Sequence, residues 1–242
     1  MKRIFAALIL LSVPGLATDR AKVVDRMNEA ATVIEEIMAA PDKGIPEEIF
    51  GGAKCVAVVP SLLKGGFVVG ASYGKGVATC RTPSGWTAPA LFRMEGGSFG
   101  LQIGGEAVDL IMVIMNDQGM ERLLSSKFKL GADASAAAGP VGRHADATTD
   151  WKLRAQVLTY SRSRGAFAGI TVNGSTIRQD KDDTRAFYGR MVRFRTSLTG
   201  AVQVPADAEK FVATVGKYAG GGVMQPTAPA KPAAGTTTEE KK

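Results

Sequence analysis

The chain has 242 residues, 45% of them hydrophobic and 22% charged, and a formal net charge of +7. This balance supplies enough apolar surface for the core of one domain or a small pair, and it excludes disorder of the whole chain. A single histidine and two cysteines leave too few soft ligands for a structural zinc site or a thiol relay.

The first seventeen residues, MKRIFAALILLSVPGLA, join a basic start at Lys2 and Arg3 to a short apolar run, with Gly15 and Ala17 as small residues before a cut. That is the pattern of a secretory leader, so residues 1–17 are expected to be a cleaved signal peptide and the mature protein to be periplasmic or secreted. The apolar run falls short of the roughly twenty residues a spanning helix needs, and no later run is long enough either. Residues 19–40 carry Val24, Met27, Ala31, Ile34 and Met38 at steps of three and four, which predicts an amphipathic helix ended by Pro41. IPEEIFGG predicts a short helix with Pro46 at its start. The period then changes. KCVAVVP, GGFVVGASYG, GVATCRTP and GWTAPALFRM read as short strands of an antiparallel meander, and SFGLQIGG and DLIMVIM continue the strand signal.

NDQGMERLLSS predicts a short helix capped by Asn116 or Asp117. KFKLGADASAAAGPVG, rich in alanine and glycine, reads as a strand pair packed closely against something bulky. In LTYSRSRGAFAGITVNGS two more strands are expected, the second closed by a turn at Asn173 and Gly174. Side chains alternate along a strand, so Leu158, Tyr160, Arg162 and Arg164 share a face that grades from apolar to aromatic to cationic. DKDDTRAFYG predicts a helix capped by Asp180 and ended by Gly189, and PADAEKFVATVGKYA a final helix with Ala208, Phe211, Val212, Val215 and Tyr218 inward. Residues 220–242 are low-complexity and are expected to form a disordered tail. The chain thus reads as a single domain over residues 18–219, of α+β class: a mainly antiparallel sheet or barrel-like core, an N-terminal amphipathic helix and C-terminal helices.

Loss of Lys2 and Arg3 with the leader lowers the net charge from +7 to +5, and residues 152–195 concentrate the excess, with ten basic residues against Asp180, Asp182 and Asp183. Such a segment can present a positive surface to phosphate-bearing partners or serve only as a solvated face. Cys55 and Cys80 can form a disulfide in an oxidising compartment or remain two buried thiols. GGSFG matches the G-x-S-x-G nucleophile elbow at Ser98, but a strand pattern follows where a helix is needed, and His144 is the chain's only histidine. DKDD offers carboxylates to calcium, but an Asp-rich helix start explains them more simply. No glycine pattern fits a nucleotide loop, and no cofactor, metal or nucleic-acid partner is expected.

IPEEIFGGAKCVAVVPSLLKGGFVVGASYGKGV, GWTAPALFRMEGGSFGLQIGGEAVDLIMVI, GADASAAAGPVGR and YSRSRGAFAGITVNGSTIRQDKDDTRAFYG resemble, in order, successive blocks of the SYLF domain family. The resemblance runs over about residues 23–218. It implies a non-enzymatic lipid-binding module that recognises anionic phospholipid or phosphoinositide-like headgroups, with an amphipathic N-terminal helix taking part in eukaryotic members and actin binding in some fungal ones. Residues 19–40 here carry three basic against five acidic residues, whereas a helix on an anionic membrane surface normally carries Lys and Arg, so the stripe is expected to pack on the sheet instead. SRGAFAG is a block of the resemblance, which implies fold roles for Arg164 and Gly165, beside Asn173 and Gly174 in their turn. Lys152, Arg154 and Arg162 are the candidates for headgroup contacts, with Lys64 and Lys75 in the Gly-rich loops as weaker ones. The alternatives are an envelope protein-interaction or scaffold domain and, third, a hydrolase using Ser98.

Overall fold

The computed structural model describes residues 15–40, 44–66, 69–99, 104–141, 155–163, 166–169 and 172–223. Most of the expected leader, His144, Lys152, Arg154, Arg164, Gly165 and the expected tail beyond Val223 lie outside these residues. The described chain is a mixed α/β fold: a curled, mostly antiparallel sheet with helices from both ends of the sequence packed against it.

Helix α1 (Gly15–Ala39) opens the fold and begins ahead of the predicted residue 19. Val23, Met27, Ala30, Ile34 and Ile37 form its buried stripe, flanked by half-buried Val24 and Met38, so the covered face is centred about one residue N-terminal to the predicted one. A short helix α2 (Glu47–Gly51) follows Pro46. The sheet strands are β1 (Cys55–Gly66), β2 (Val69–Thr82), β3 (Gly85–Trp86), β4 (Ala90–Phe99) and β5 (Gly104–Ile114). After helix α3 (Asp117–Leu124) come β6 (Lys127–Lys129), β7 (Ala136–Ala138), β8 (Val157–Ser163), β9 (Ala166–Gly169) and β10 (Thr176–Gln179). Helices α4 (Lys181–Tyr188), α5 (Phe194–Leu198) and, after a single 3-10 turn, α6 (Glu209–Ala219) complete it.

The strands run in the order β6, β10, β4, β2, β1, β5, β8, β7, with β3 on β2 and β9 on β8, and among the described strands the single parallel pair is β7 with β8. This order explains the curl. β6 and β7 are the two ends of the series, yet only six residues separate Lys129 from Ala136. Seven strand spacings in a flat sheet measure about 34 Å, whereas seven extended residues reach about 25 Å. The connection from Gly169 to Thr176 faces a smaller deficit, about 29 Å over six spacings against the same reach, so the sheet must bend until its edges approach.

Several expectations change in detail. The first three of the four short runs of the meander form two long strands, β1 and β2, and the fourth divides into β3 and β4. β1 continues past Pro60 through a bulge at Ser61, whose φ is 54°, and its register shift there removes the need for a Pro60 amide. β2 absorbs Gly74 and Gly76, because a side chain on Gly76 would collide with the Phe92 ring. β6 and β7 are not a strand pair, since each pairs with a different distant strand. The bulky neighbour expected beside this stretch is Tyr160, against which Gly139 is packed. The caps at Asn116 and Asp180 form as expected, and Gly189 ends α4 at φ 67°.

Alternation divides the sheet into two buried faces. Val56, Val58, Val77, Leu91, Ile111, Leu158 and Tyr160 lie under α1, α2 and α6 on the helix-bearing face. Cys55, Val59, Leu62, Phe92, Leu110, Phe128 and Ile177 fill the inner face with residues of α3 and α5. Cys55 and Cys80 stand directly opposite each other on β1 and β2 and form a disulfide, fully buried on that inner face. Replacing both by Ala is expected to lower stability by about 3 kcal/mol in chemical denaturation, the loop between them being 25 residues. Reductant should open the bond only with denaturant present; rapid thiol labelling of the native protein after mild reduction would contradict this burial.

Candidate functional site

The helices stop short of the ends of the strands. Beyond them the helix-bearing face continues as one cross-strand row, Lys129, Thr176, Glu95, Tyr73, Leu63 and Ala107, each directly opposite the next on β6, β10, β4, β2, β1 and β5. Leu63 is 58% exposed and Tyr73 44%, an apolar pair side by side in solvent. A shallow hollow of about 580 Å³ lies over them and is lined as well by Lys64, Gly65, Ala71, Ser72, Glu106 and Ala107.

Lys64 and Lys75 point to opposite faces, so the structure does not bring these two candidates together. Lys64 pairs in register with Ser72 and Glu106, on the side opposite Leu63 and Tyr73. Burial lowers its pKa, with Glu106 opposing. Lys75 is on the helix-bearing face, two residues from Tyr73. Its ammonium lies 2.8 Å from both Asp180 and Asp183, and Arg26 of α1 reaches Asp183 at 2.5 Å. Burial works to lower the Lys75 pKa, but the hydrogen bonds to the two carboxylates outweigh it and hold the value above that of an ordinary lysine. Burial likewise works to raise Asp180, and its bonds from Lys75 and the Asp183 and Asp182 amides hold it below the ordinary value. The group fixes the start of α4 and the middle of α1 to β2.

Arg162 has a similar place. As the alternation predicts, it continues the face of Leu158 and Tyr160, both buried under the helices. Its Nε donates to Asp109 Oδ2 at 2.8 Å, and its guanidinium also pairs with Glu36 of α1. Asp109 in turn accepts the amide of Ser61 at the β1 bulge, at 2.9 Å. Beside this network a cavity of about 500 Å³ opens between α1 and the sheet, lined by Asp25, Asn28, Glu29, Thr32 and Asp109 with Arg162. Its acidic rim disfavours an anionic headgroup.

Within the basic stretch 152–195, four of the described cations have a carboxylate beside them: besides Arg162, Arg178 faces Glu95, Arg185 faces Asp182 and Arg195 faces Glu121. Asn173 and Gly174 form the expected turn, with Gly174 at φ 88°, and lie between strands on different parts of the sheet. GGSFG does not build an elbow, because β4 runs on through Ser98 to Phe99, paired with β2, where the chemistry needs a turn into a helix. Sequence reasoning missed Leu63, Tyr73 and the cations of β4 and β6; their only local signal is alternation, and strand pairing decides which face they join.

Lys75→Met is expected to destabilise the fold by about 2–3 kcal/mol, since it takes the lysine partner from buried Asp180 and leaves Asp183 with Arg26 alone. The depressed carboxylate contributes fully above about pH 3.9, the ordinary Asp value, and its contribution fades as pH falls through the lower folded value. The raised ammonium contributes fully below about pH 10.4 and fades as pH rises through its higher folded value. Denaturation curves of parent and variant should thus differ across that window and converge at acid pH.

A family model described as "Ysc84: Las17-binding protein actin regulator" matches residues 95–218, just over half of the chain. The chain is 37% identical over 171 residues to "SH3 domain-containing YSC84-like protein 1" of Rattus norvegicus, covering 70% of this chain and 50% of that protein. The Homo sapiens protein of the same name is 36% identical over the same shares. "Protein YSC84" of Saccharomyces cerevisiae is 33% identical over 172 residues, covering 69% of this chain and 36% of that protein. The chain spans half or less of the length of these relatives. With the match extending from β4 through most of α6, the chain belongs to the Ysc84 (SYLF) family.

Proposed function

We propose that this protein is a non-enzymatic domain, exported to the periplasm or beyond the cell, that attaches to anionic phospholipid surfaces. The observation that carries the reading is the exposed pair Leu63 and Tyr73, standing in one row with Lys129 on a face the helices leave open. An aliphatic and an aromatic side chain can enter the boundary between headgroups and acyl chains, while nearby lysines and arginines meet the negative surface. Lys152, Arg154 and Arg162 remain candidates for headgroup contact, although the ion pairs of Arg162 make it the weakest of the three. The buried disulfide supports export, since such bonds persist in oxidising compartments.

A second reading is favoured by the words attached to the relatives: one is called "LAS seventeen-binding protein 3" in Saccharomyces cerevisiae, and a protein partner would use the same open face.

Sedimentation with vesicles separates the two. The mature protein is expected to pellet with vesicles of phosphatidylcholine and phosphatidylserine and not with phosphatidylcholine alone. Leu63→Ser with Tyr73→Ser should weaken that binding by about thirtyfold, with the melting temperature kept, because both side chains are exposed in the free protein. Equal binding of parent and double variant would overturn the proposed face, and failure of the parent to bind anionic vesicles would leave the protein-partner reading.

A further inference from the structure

One row inward from Tyr73 and Leu63, four cations stand directly opposite one another on four neighbouring strands. Lys127 on β6 faces Arg178 on β10, Arg178 faces Arg93 on β4, and Arg93 faces Lys75 on β2. All four belong to the helix-bearing side, since their neighbours Phe128, Ile177, Phe92 and Met94 fill the inner core. Like charges directly opposite on paired strands repel, so the row works against the sheet that carries it.

The charges are only partly answered. Lys75 turns to Asp180 and Asp183. Arg93 and Arg178 share a single carboxylate, Glu95, which lies 3.1 Å from Arg93 Nε and 3.5 Å from Arg178 Nη2. Neither contact has the alignment of a hydrogen bond. The Nε atoms of both arginines are shielded from solvent and lack a hydrogen-bond acceptor among the described residues. Their side chains are nevertheless 34% and 37% exposed, so a ligand can reach them. Lys127 and Lys129 flank them on β6 and are exposed.

We infer that Arg93 and Arg178, with Lys127 beside them, form a binding site for a phosphate dianion, either free phosphate or the terminal phosphomonoester of a larger molecule. Side chains directly opposite on antiparallel strands start about 5 Å apart, so two guanidinium forks can close on one tetrahedral oxyanion. A planar fork matches phosphate oxygens better than an ammonium does, and Lys127 adds a point charge at the rim. A dianion answers both arginines at once, as Glu95 alone does not. When the phosphate belongs to a lipid the site deepens the membrane reading, for it lies next to Leu63 and Tyr73; when it is soluble the site stands without that reading.

The test uses the mature protein at constant ionic strength, with inorganic phosphate and glycerol 3-phosphate as soluble probes and phosphatidylcholine vesicles containing phosphatidic acid as the lipid probe. Arg93→Gln with Arg178→Gln is expected to weaken soluble phosphate binding about a hundredfold, two charged hydrogen-bonding partners being lost. Its melting temperature without phosphate should equal or exceed the parent's, because the opposed charges are gone. Glu95→Gln removes the competing carboxylate and should tighten phosphate binding about fivefold, which keeps the site testable if the double variant folds poorly. Leu63→Ser with Tyr73→Ser should leave the soluble arm unchanged. Phosphate binding that is absent in the parent, or equal in parent and Arg93→Gln/Arg178→Gln variant, overturns the site. If the parent and that variant bind soluble phosphate alike and vesicles alike, the site fails and the membrane reading survives; soluble binding that the variant loses, without vesicle binding by the parent, gives the reverse.

Discussion

Everything open on this molecule depends on how firmly α1 is held to the sheet. The helix buries Val23, Met27, Ile34 and Ile37 against the strands, and three of its charged side chains are tied down along its length. Arg20 pairs with Asp207 ahead of α6, Arg26 with Asp183 in α4, and Glu36 with Arg162 on β8. Burial of those four apolar side chains alone is worth about 6 kcal/mol or more, comparable to the whole stability of an ordinary domain. A membrane would have to return that energy before α1 could leave, and the helix carries more acid than base with which to approach an anionic surface. The helix is therefore held as cover, and the surface proposed for binding is what that cover does not reach.

That surface follows from a mismatch of lengths. β1 and β2 run to 12 and 14 residues because their bulge and their glycines let them pass over the inner core without interruption, while α1, α4 and α6 cover only the middle of the sheet. The overhang carries the exposed Tyr73 and Leu63 and, one row in, the opposed cations. Ion pairs inside the covered region orient helices; the charges at its margin have fewer partners. The same residue types thus do different work according to the row they occupy, as Lys75 and Arg93, directly opposite each other, illustrate.

Much of this was legible in the sequence where the signal is local. The period of α1, the cap at Asp180, the end of α4 at Gly189 and the shared face of Leu158, Tyr160 and Arg162 all depend on residues within a few positions of each other. What Arg162 touches was not legible, since Asp109 and Glu36 are brought to it by pairing and packing across long separations. Gly74 and Gly76 looked like separators because the sequence does not show what lies against them, Val59 and Leu62 at Gly74 and the Phe92 ring at Gly76. KFKLGADASAAAGPVG misled for a related reason: proximity in sequence suggested a pair, while the curl sends its two strands to opposite edges. Arg93 and Arg178 lie 85 positions apart, and only the register of β4 with β10 sets them face to face.

Hydrogen exchange on the mature protein, with and without phosphatidic acid vesicles, tests the central claim most directly. The account predicts slowed exchange in the overhanging parts of β1, β2, β4 and β10, around residues 61–65, 71–75, 93–95 and 176–178, while α1 keeps the slow exchange it has in solution. Exchange in α1 that changes on vesicle binding, with those strand segments unaffected, would contradict it and make the helix itself the membrane-binding element.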